Sequence, residues 1–267
     1  MLLTLLALAA ATSPAAQSTA GPPDPREARY RHCVALVRSD PAAALADVTR
    51  WQASGGDLAQ QCAGLANAAR ARWAPAAANF ETAANAARIA RNSRAASYWA
   101  QAGNAWLAAG EPVKARAALD AALAAGTLTG LERGEAQLDA ARALVATGDL
   151  PTARTAMDGA LTTAAADPLA WLLSATLARR MGDLPRASKD IAEALRRSPD
   201  DASVQLEAGN IAALNHDEAG ARRAWGEAAR LAPASAPGQA AAVALRQFDP
   251  PAKSSGTESR AGTSVGR

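Results

Sequence analysis

The chain has 267 residues, and its 28 lysines and arginines against 25 aspartates and glutamates leave a net charge of +3. Charges of both signs are interspersed along the chain, so no basic patch of the kind that binds nucleic acid is indicated. Aromatic residues make up only 4% of the chain, and much of the apolar content is alanine. Helix propensity and close backbone packing must therefore contribute much of the stability.

The N-terminal segment has the character of a secretory signal peptide. A run of leucines and alanines ends at Ala11 and is shorter than the ~20 residues that span a bilayer. The Ser-Thr-Ala tripeptide at 18–20 then fits a small-x-small cleavage site. We therefore expect residues 1–20 to be a signal peptide and the mature protein to be periplasmic or secreted (bacterial), without a transmembrane anchor. No Lys or Arg precedes the run, and an apolar leader on a cytosolic protein is the alternative.

The segment 21–56 predicts an atypical pair of helices. Pro25 to Ser39 reads as one helix and Pro41 to Ser54 as another. Since the terminal unit of a repeat array needs a cover for its exposed face, we expect this pair to be a capping repeat.

A pattern of glycine, alanine and large apolar residues recurs through the middle of the chain. The two clearest copies are Gly182, Ala187, Ile191, Ala194 and Pro199, and, 34 residues later, His216, Ala221, Trp225, Ala228 and Pro233. Copies in register at this spacing predict a solenoid of helix–turn–helix units. We expect about five units, at 57–95, 96–133, 134–167, 168–201 and 202–235.

The residue types suit such a unit. Glycine after the first helix can take the left-handed cap conformation, and the acidic residue after it can cap the second helix. Small residues allow close approach of helix backbones, and larger ones fill the gaps between units. Four tryptophans fall on core positions, namely Trp99, Trp106, Trp171 and Trp225.

These units resemble the tetratricopeptide repeat (TPR) family. The residues that match signature positions of its 34-residue motif in one unit are Trp99, Gly103, Trp106, Ala115, Leu119 and Ala122. The resemblance covers roughly residues 57–235, although His216 stands where glycine is usual. It implies an all-α, right-handed helical-repeat solenoid that binds other proteins. We expect a C-terminal capping helix at 236–248 and a disordered tail at 249–267, which is rich in Pro, Ser, Gly and Thr.

Cys33 and Cys62 are the only cysteines. Both are expected on first helices of neighbouring units, which pack side by side in a solenoid. If the protein is exported, a Cys33–Cys62 disulfide is favoured. The alternative is a pair of buried thiols that act as small apolar side chains.

The first helices of TPR-like solenoids line a concave groove, so the resemblance implies that a partner binds there. The residues expected in the partner-binding groove are Asn104, Arg142, Thr176, Arg179, Arg180 and Asn210. Asparagine can pair with a peptide backbone and arginine with a carboxylate. Some family members clamp a peptide's C-terminal carboxylate with Lys and Asn from this stripe. Asn104 matches such an Asn, but the lack of Lys at the fifth position of each unit argues against that mode. Arg179 and Arg180 have the alternative role of a solvated helix end that interacts with the helix dipole.

No active site is indicated. His32 and His216 lie at opposite ends of the chain, and the sequence has no HExxH motif, paired Cys/His spacing or Gly-rich phosphate loop. We therefore expect no enzymatic activity and no metal, cofactor or nucleic-acid partner. The leading hypothesis is a non-catalytic scaffold or adaptor that binds a protein or peptide partner in the bacterial cell envelope. The alternatives are an accessory protein that binds an anionic envelope polymer or lipid headgroup, and a regulatory subunit of an envelope enzyme.

Overall fold

The computed structural model describes residues 24–248, and all regular structure in that range is helical. The expected signal peptide at 1–20 and the expected tail at 249–267 lie outside the described residues. In chain order the helices are α1 (Pro25–Ser39), α2 (Pro41–Ala69), α3 (Trp73–Ile89), α4 (Ala95–Ala108), α5 (Pro112–Ala124), α6 (Gly130–Ala146), α7 (Leu150–Thr163), α8 (Pro168–Arg180), α9 (Leu184–Arg197), α10 (Ala202–Leu214), α11 (Glu218–Leu231) and α12 (Ala236–Phe248).

Consecutive helices pack as antiparallel neighbours, and first helices of successive units also contact each other, as α4 does with α6 and α8 with α10. The contacts run between neighbours along the array rather than around one central core. The chain is therefore an all-α helical-repeat solenoid, as the repeat pattern predicts.

The turns inside the units end their first helices in the same way. At one of them Gly148 has a φ of 85°, and the N–H of Asp149 donates to the carbonyl of Leu144 over 3.0 Å. This left-handed glycine with a hydrogen bond back to the helix is a Schellman-type end. Gly110 and Gly182 occupy the equivalent positions with positive φ.

The acidic residue that follows such a turn caps the second helix in several units. The Asp149 carboxylate accepts from the N–H of Thr152, and Asp183 and Asp217 make the same kind of cap on α9 and α11. Glu111, in contrast, makes no side-chain cap on α5. The capping expectation is therefore met by the aspartates and not by this glutamate, whose longer side chain caps less well.

Small residues on first helices pack against large residues that follow 16 positions later on second helices. Gly64, Gly103 and Gly209 face Phe80, Leu119 and Trp225 in this way. At each glycine an added β-carbon would lie within 2.4 Å of the large side chain. The close approach of the two helices within each unit depends on these pairs.

Two of the expected unit boundaries fall within helices of the structure. The expected boundary between residues 133 and 134 falls inside α6, which begins at Gly130 because Thr129 is extended and Leu128 is buried in the core. The expected boundary after residue 56 falls at a kink within α2, where Gly56 has a φ of 56° and a ψ of −133°. The division of the chain into repeats otherwise remains a prediction.

The two cysteines meet between α1 and the second half of α2. Both are fully buried, and the structure joins their sulfur atoms with a Cα–Cα distance of 6.3 Å. The paired cysteines lie in a cluster with Trp51, Val48 and Leu58.

The tryptophans divide between core and surface. Trp106 and Trp225 are buried, as expected, whereas Trp99 and Trp171 are only partly buried. Trp171 has an exposed face on which the Arg197 guanidinium stacks at 4.9 Å from the ring centroid. In the range 24–248, no helix combines the length and apolar character required to cross a membrane.

Candidate binding cleft

A cleft of about 540 Å³ opens on the face formed by the first helices. Its floor includes the buried side chains of Phe80, Leu128 and Leu138, and its rim includes the exposed side chains of Trp73 and Leu169. Residues from α4, α6 and α8 supply most of the walls. We refer to this feature as the first cleft.

Acidic side chains dominate the charge of the first cleft. The carboxylates among its lining residues are Glu132, Glu135, Asp139 and Asp167. Among residues 24–248, Arg142 is the one cationic side chain in the lining, so four carboxylates against one guanidinium give this part of the chain a net charge of −3 in the cleft. Three of the six residues expected in the groove are arginines, whereas the charge of this cleft is mainly negative.

Asp139 holds two of the residues that were expected to contact a partner. Arg142 donates to one oxygen of Asp139 over 2.8 Å, and the Asn104 amide donates to the other oxygen over 2.8 Å. The bond from Asn104 joins α4 to α6, whereas the ion pair of Arg142 with Asp139 lies within α6. The Arg142 charge is thus already paired, although its side chain remains partly exposed.

The other three carboxylates are less engaged. Asp167 caps α8 by accepting from the N–H of Leu169 over 2.9 Å, and Glu132 accepts a 3.5 Å bond from Ser97. Glu135 is exposed, and within residues 24–248 its side chain has no hydrogen bond or ion pair. Acids near helix N-termini also interact favourably with the helix dipole, but Glu135 lies beyond the first turn of α6.

A smaller cavity of about 300 Å³ adjoins the first cleft and shares Arg142 and Leu173 with it. Thr176 and Arg180 line this second cavity together with apolar side chains, including Met157 and Val145. Three of the expected groove residues, Arg142, Thr176 and Arg180, therefore lie together here.

Arg179 and Asn210 line neither of these two cavities, because both bind the same buried glutamate. Arg179 donates to both oxygens of Glu207 over 2.6 and 3.2 Å, and Asn210 donates to Glu207 over 3.2 Å. Asn210 also accepts from the indole N–H of Trp225 over 3.1 Å. These contacts join α8, α10 and α11.

These carboxylates do not stand at the repeat positions that predict groove residues in the TPR motif. A signal for them exists within α6. Glu132, Glu135, Asp139 and Arg142 follow each other at intervals of three, four and three residues, which places them on one stripe of a helix.

A second cluster of charges joins α7, α8 and α9. Asp190 is fully buried and accepts from the Ser174 hydroxyl over 2.5 Å and from Arg186 over 2.7 Å. Arg186 and Arg154 both donate to Asp158, over 2.9 and 2.7 Å. Burial opposes ionisation of Asp158, but the hydrogen bonds from Arg154 and Arg186 outweigh it and hold the pKa of Asp158 below its usual value. This network binds neighbouring helices to each other.

Neither histidine is part of such a cluster. His32 is exposed on α1, and His216 occupies a turn with a φ of 62°. No group of three or more His, Cys, Asp or Glu side chains within the described range is placed to hold a metal ion.

No protein-family model and no curated protein sequence matches the chain. Solved structures do match it. PilW, a type IV pilus biogenesis factor, is 18% identical with a TM-score of 0.67 over 80% of this chain and 96% of that chain. PilF of Pseudomonas aeruginosa is 16% identical with a TM-score of 0.65 over 80% of this chain and 95% of that chain.

YrrB, a TPR protein described as having an unusual peptide-binding site, is 18% identical with a TM-score of 0.55 over 74% of this chain and 96% of that chain. At these identities the likeness concerns the fold. The chain therefore has the fold of the TPR solenoids, as its repeat signature predicts.

Proposed function

We propose that this TPR-fold chain is a non-catalytic adaptor of the bacterial cell envelope that holds a segment of a partner protein in the first cleft. The observation that carries the proposal is the cleft itself. Its volume of about 540 Å³ lies in the range of ligand-binding pockets. It combines an apolar floor with polar groups at the rim, the combination that binding sites use for affinity and orientation.

Exposed apolar side chains at the rim support a protein or peptide ligand. Leu169 is 48% exposed and Trp73 is 37% exposed, and both border the same cleft. A partner that covered them would gain from removing apolar area from water. Clustered exposed apolar residues beside a cleft are typical of interaction sites.

The charge of the first cleft argues against the alternative of an anionic polymer or lipid headgroup. An anion in this cleft would meet Glu135 and Glu132, while the Arg142 guanidinium already pairs with Asp139. The second cavity is less unfavourable for an anion, because the cationic side chains of Arg180 and Arg142 line it. A protein segment is therefore the ligand that the larger site favours.

The envelope location rests on two features of the chain. Residues 1–20 have the composition of a signal peptide, and Cys33 and Cys62 lie at disulfide distance. Disulfides persist in the periplasm and outside the cell and are rare in the cytosol. We propose that the mature chain is exported and that the pair is oxidised there.

Photo-crosslinking in the native cell tests the adaptor function. A photoreactive residue at Leu169, on the rim of the first cleft, is compared with one at Val113 on α5, which is 72% exposed and does not line the cleft. Both substitutions replace an exposed aliphatic side chain, so they are matched in their effect on folding. We expect one discrete protein adduct from position 169 that is absent at position 113. The proposal fails if position 169 gives no adduct or gives the same adducts as position 113.

A further inference from the structure

The carboxylates on one side of α6, which we call the acidic stripe, face the first cleft. Glu132, Glu135 and Asp139 all line the cleft, and they share one side of the helix. Asp167 adds a fourth carboxylate from the start of α8. A segment lying in the cleft would therefore pass along a row of negative charges.

The cleft does not neutralise this charge itself. Arg142 is its one cation and is engaged with Asp139, which leaves Glu132, Glu135 and Asp167 without a cationic partner within residues 24–248. A ligand that brought positive charge would pair with these groups, whereas an acidic ligand would be repelled. Charge complementarity thus favours a positively charged ligand over an acidic one.

Apolar contacts are available next to the charges. Leu169 lies two residues after Asp167, and Leu173 lies one helical turn further along α8, where it borders both cavities. A lysine or arginine can lay its methylene stem along such apolar surface while its charged end reaches a carboxylate. A basic side chain flanked by an apolar one matches this arrangement.

We propose that the first cleft selects a basic peptide segment, in which lysine or arginine side chains pair with Glu132 and Glu135 and neighbouring aliphatic side chains pack on Leu169 and Trp73. This inference rests on the proposed function and adds the chemistry of the partner. A divalent cation is a poorer occupant, because the carboxylates form no group of three in the described chain that is placed to hold a metal.

Selection from a random peptide library displayed on phage tests the proposal, with the full chain as bait. We expect the enriched peptides to be rich in lysine and arginine and to carry aliphatic residues beside them. Binding of the enriched peptides should weaken as ionic strength rises, because salt screens partly exposed charges. Enrichment of acidic or uncharged peptides, or no enrichment, would overturn the proposal.

Reversing the charge of one carboxylate in the cleft then tests whether the enriched peptides bind there. Glu135→Lys should weaken binding of an enriched peptide roughly 3- to 10-fold, as expected for exposed charge pairs. Asp120→Lys on α5 makes the same charge change at an exposed site outside the cleft and should leave binding within about 2-fold of the parent. Equal losses in the two variants would contradict a site at the first cleft.

The chain's own residues 249–267 are a competing occupant, since they contain Lys253, Arg260 and Arg267. Selection is therefore repeated on the variant Lys253→Glu, Arg260→Glu, Arg267→Glu. Similar enrichment with parent and variant supports a separate partner. Enrichment of basic peptides by the variant alone would show that the chain's own segment fills the cleft, and would overturn the proposal.

The two proposals fail in different ways. Discrete crosslinks from Leu169 without a preference for basic peptides would leave the adaptor function standing and remove the inference about charge. Absence of the crosslinks would remove the adaptor function at this site.

Discussion

The indole ring of Trp225 occupies the space that a β-carbon on Gly209 would need. An added carbon there would lie 2.3 Å from Cδ1 and 2.4 Å from Nε1 of the ring. The ring has little freedom to move away, because its N–H binds Asn210 and Phe248 packs against it edge-on, with ring centroids 5.2 Å apart. The fit between α10 and α11 therefore depends on glycine at this position.

Gly209→Ala should destabilise the chain for this reason. Overpacking of this kind costs about 1–3 kcal/mol, which exceeds the gain of at most about 1 kcal/mol in helix propensity. Gly226→Ala is the matched control, since Gly226 lies on α11 and nothing in the described residues lies within 4 Å of a β-carbon added there. This substitution should stabilise the chain by about 0.5–1 kcal/mol. Urea unfolding measures both, and shifts of the same sign would contradict the packing argument.

His216 should be replaceable by glycine with a gain in stability. Its φ of 62° is in the left-handed region, which costs a non-glycine residue about 1–2 kcal/mol. The greater freedom of glycine in the unfolded chain offsets part of this, so we expect His216→Gly to stabilise by about 0.5 kcal/mol.

Gly148→Ala tests the turn geometry in the opposite direction, because it adds a side chain at a left-handed position. Nothing lies within 4 Å of an added β-carbon at Gly148, so the change introduces backbone strain at a φ of 85° without a clash. We expect a loss of about 1 kcal/mol. A gain on Gly148→Ala, or a loss on His216→Gly, would contradict this account of the turns.

Asp158→Asn should reduce stability at neutral pH and have less effect in acid. Burial raises the pKa of Asp158, but the hydrogen bonds from Arg154 and Arg186 outweigh this effect and hold the pKa below its usual value in the folded chain. The carboxylate therefore stabilises the fold above about pH 4, and this contribution is lost as the pH falls through the lowered pKa. Since the side chain is half exposed, we expect only about 1 kcal/mol at pH 7.

Unfolding of parent and Asp158→Asn across pH 2 to 7 measures this difference. Asp120→Asn is the comparison, because Asp120 is exposed and its nearest atom on Arg116 is 3.7 Å away. It should change stability by less than about 0.5 kcal/mol at all pH values. A constant difference in unfolding free energy between parent and Asp158→Asn over the whole range would contradict a stabilising role of the ionised Asp158.

Cys33→Ser should lower the melting temperature of the oxidised protein. A bridge between residues 29 apart in sequence stabilises by at most about 3.5 kcal/mol through the entropy of the unfolded chain. Reductant should lower the melting temperature of the parent and leave that of the variant unchanged. Equal melting of parent and variant under oxidising conditions would mean that the cysteines are not bridged.

The sequence predicted the parts of the fold that short-range patterns determine. Gly148 and Asp149 specify a turn and a cap within a few residues, and Gly103 and Leu119 are separated by a fixed 16 positions. The start of α6 was missed because it depends on Leu128, whose burial comes from contacts with other helices.

The side-chain contacts of the expected groove residues depend on pairings between residues that are distant in sequence. In the TPR family, the positions of Arg179 and Asn210 face the groove. In this chain Arg179 pairs with Glu207, which lies 28 residues further along the sequence. No short-range sequence pattern predicts a pair of residues this far apart. The acidic stripe of Glu135 and Asp139 did have a local signal in its helical spacing, which a search by repeat position alone did not use.

The most direct test of the account is a charge swap between the first cleft and its ligand. A basic peptide selected by the parent chain and the same peptide with its lysines and arginines changed to glutamate are titrated against the parent and against Glu135→Lys. The account predicts that the parent prefers the basic peptide and that Glu135→Lys loses preference for it while gaining affinity for the acidic one. If Glu135→Lys left the preference unchanged, or weakened both peptides equally, the first cleft would not be the site that reads the charge of the partner.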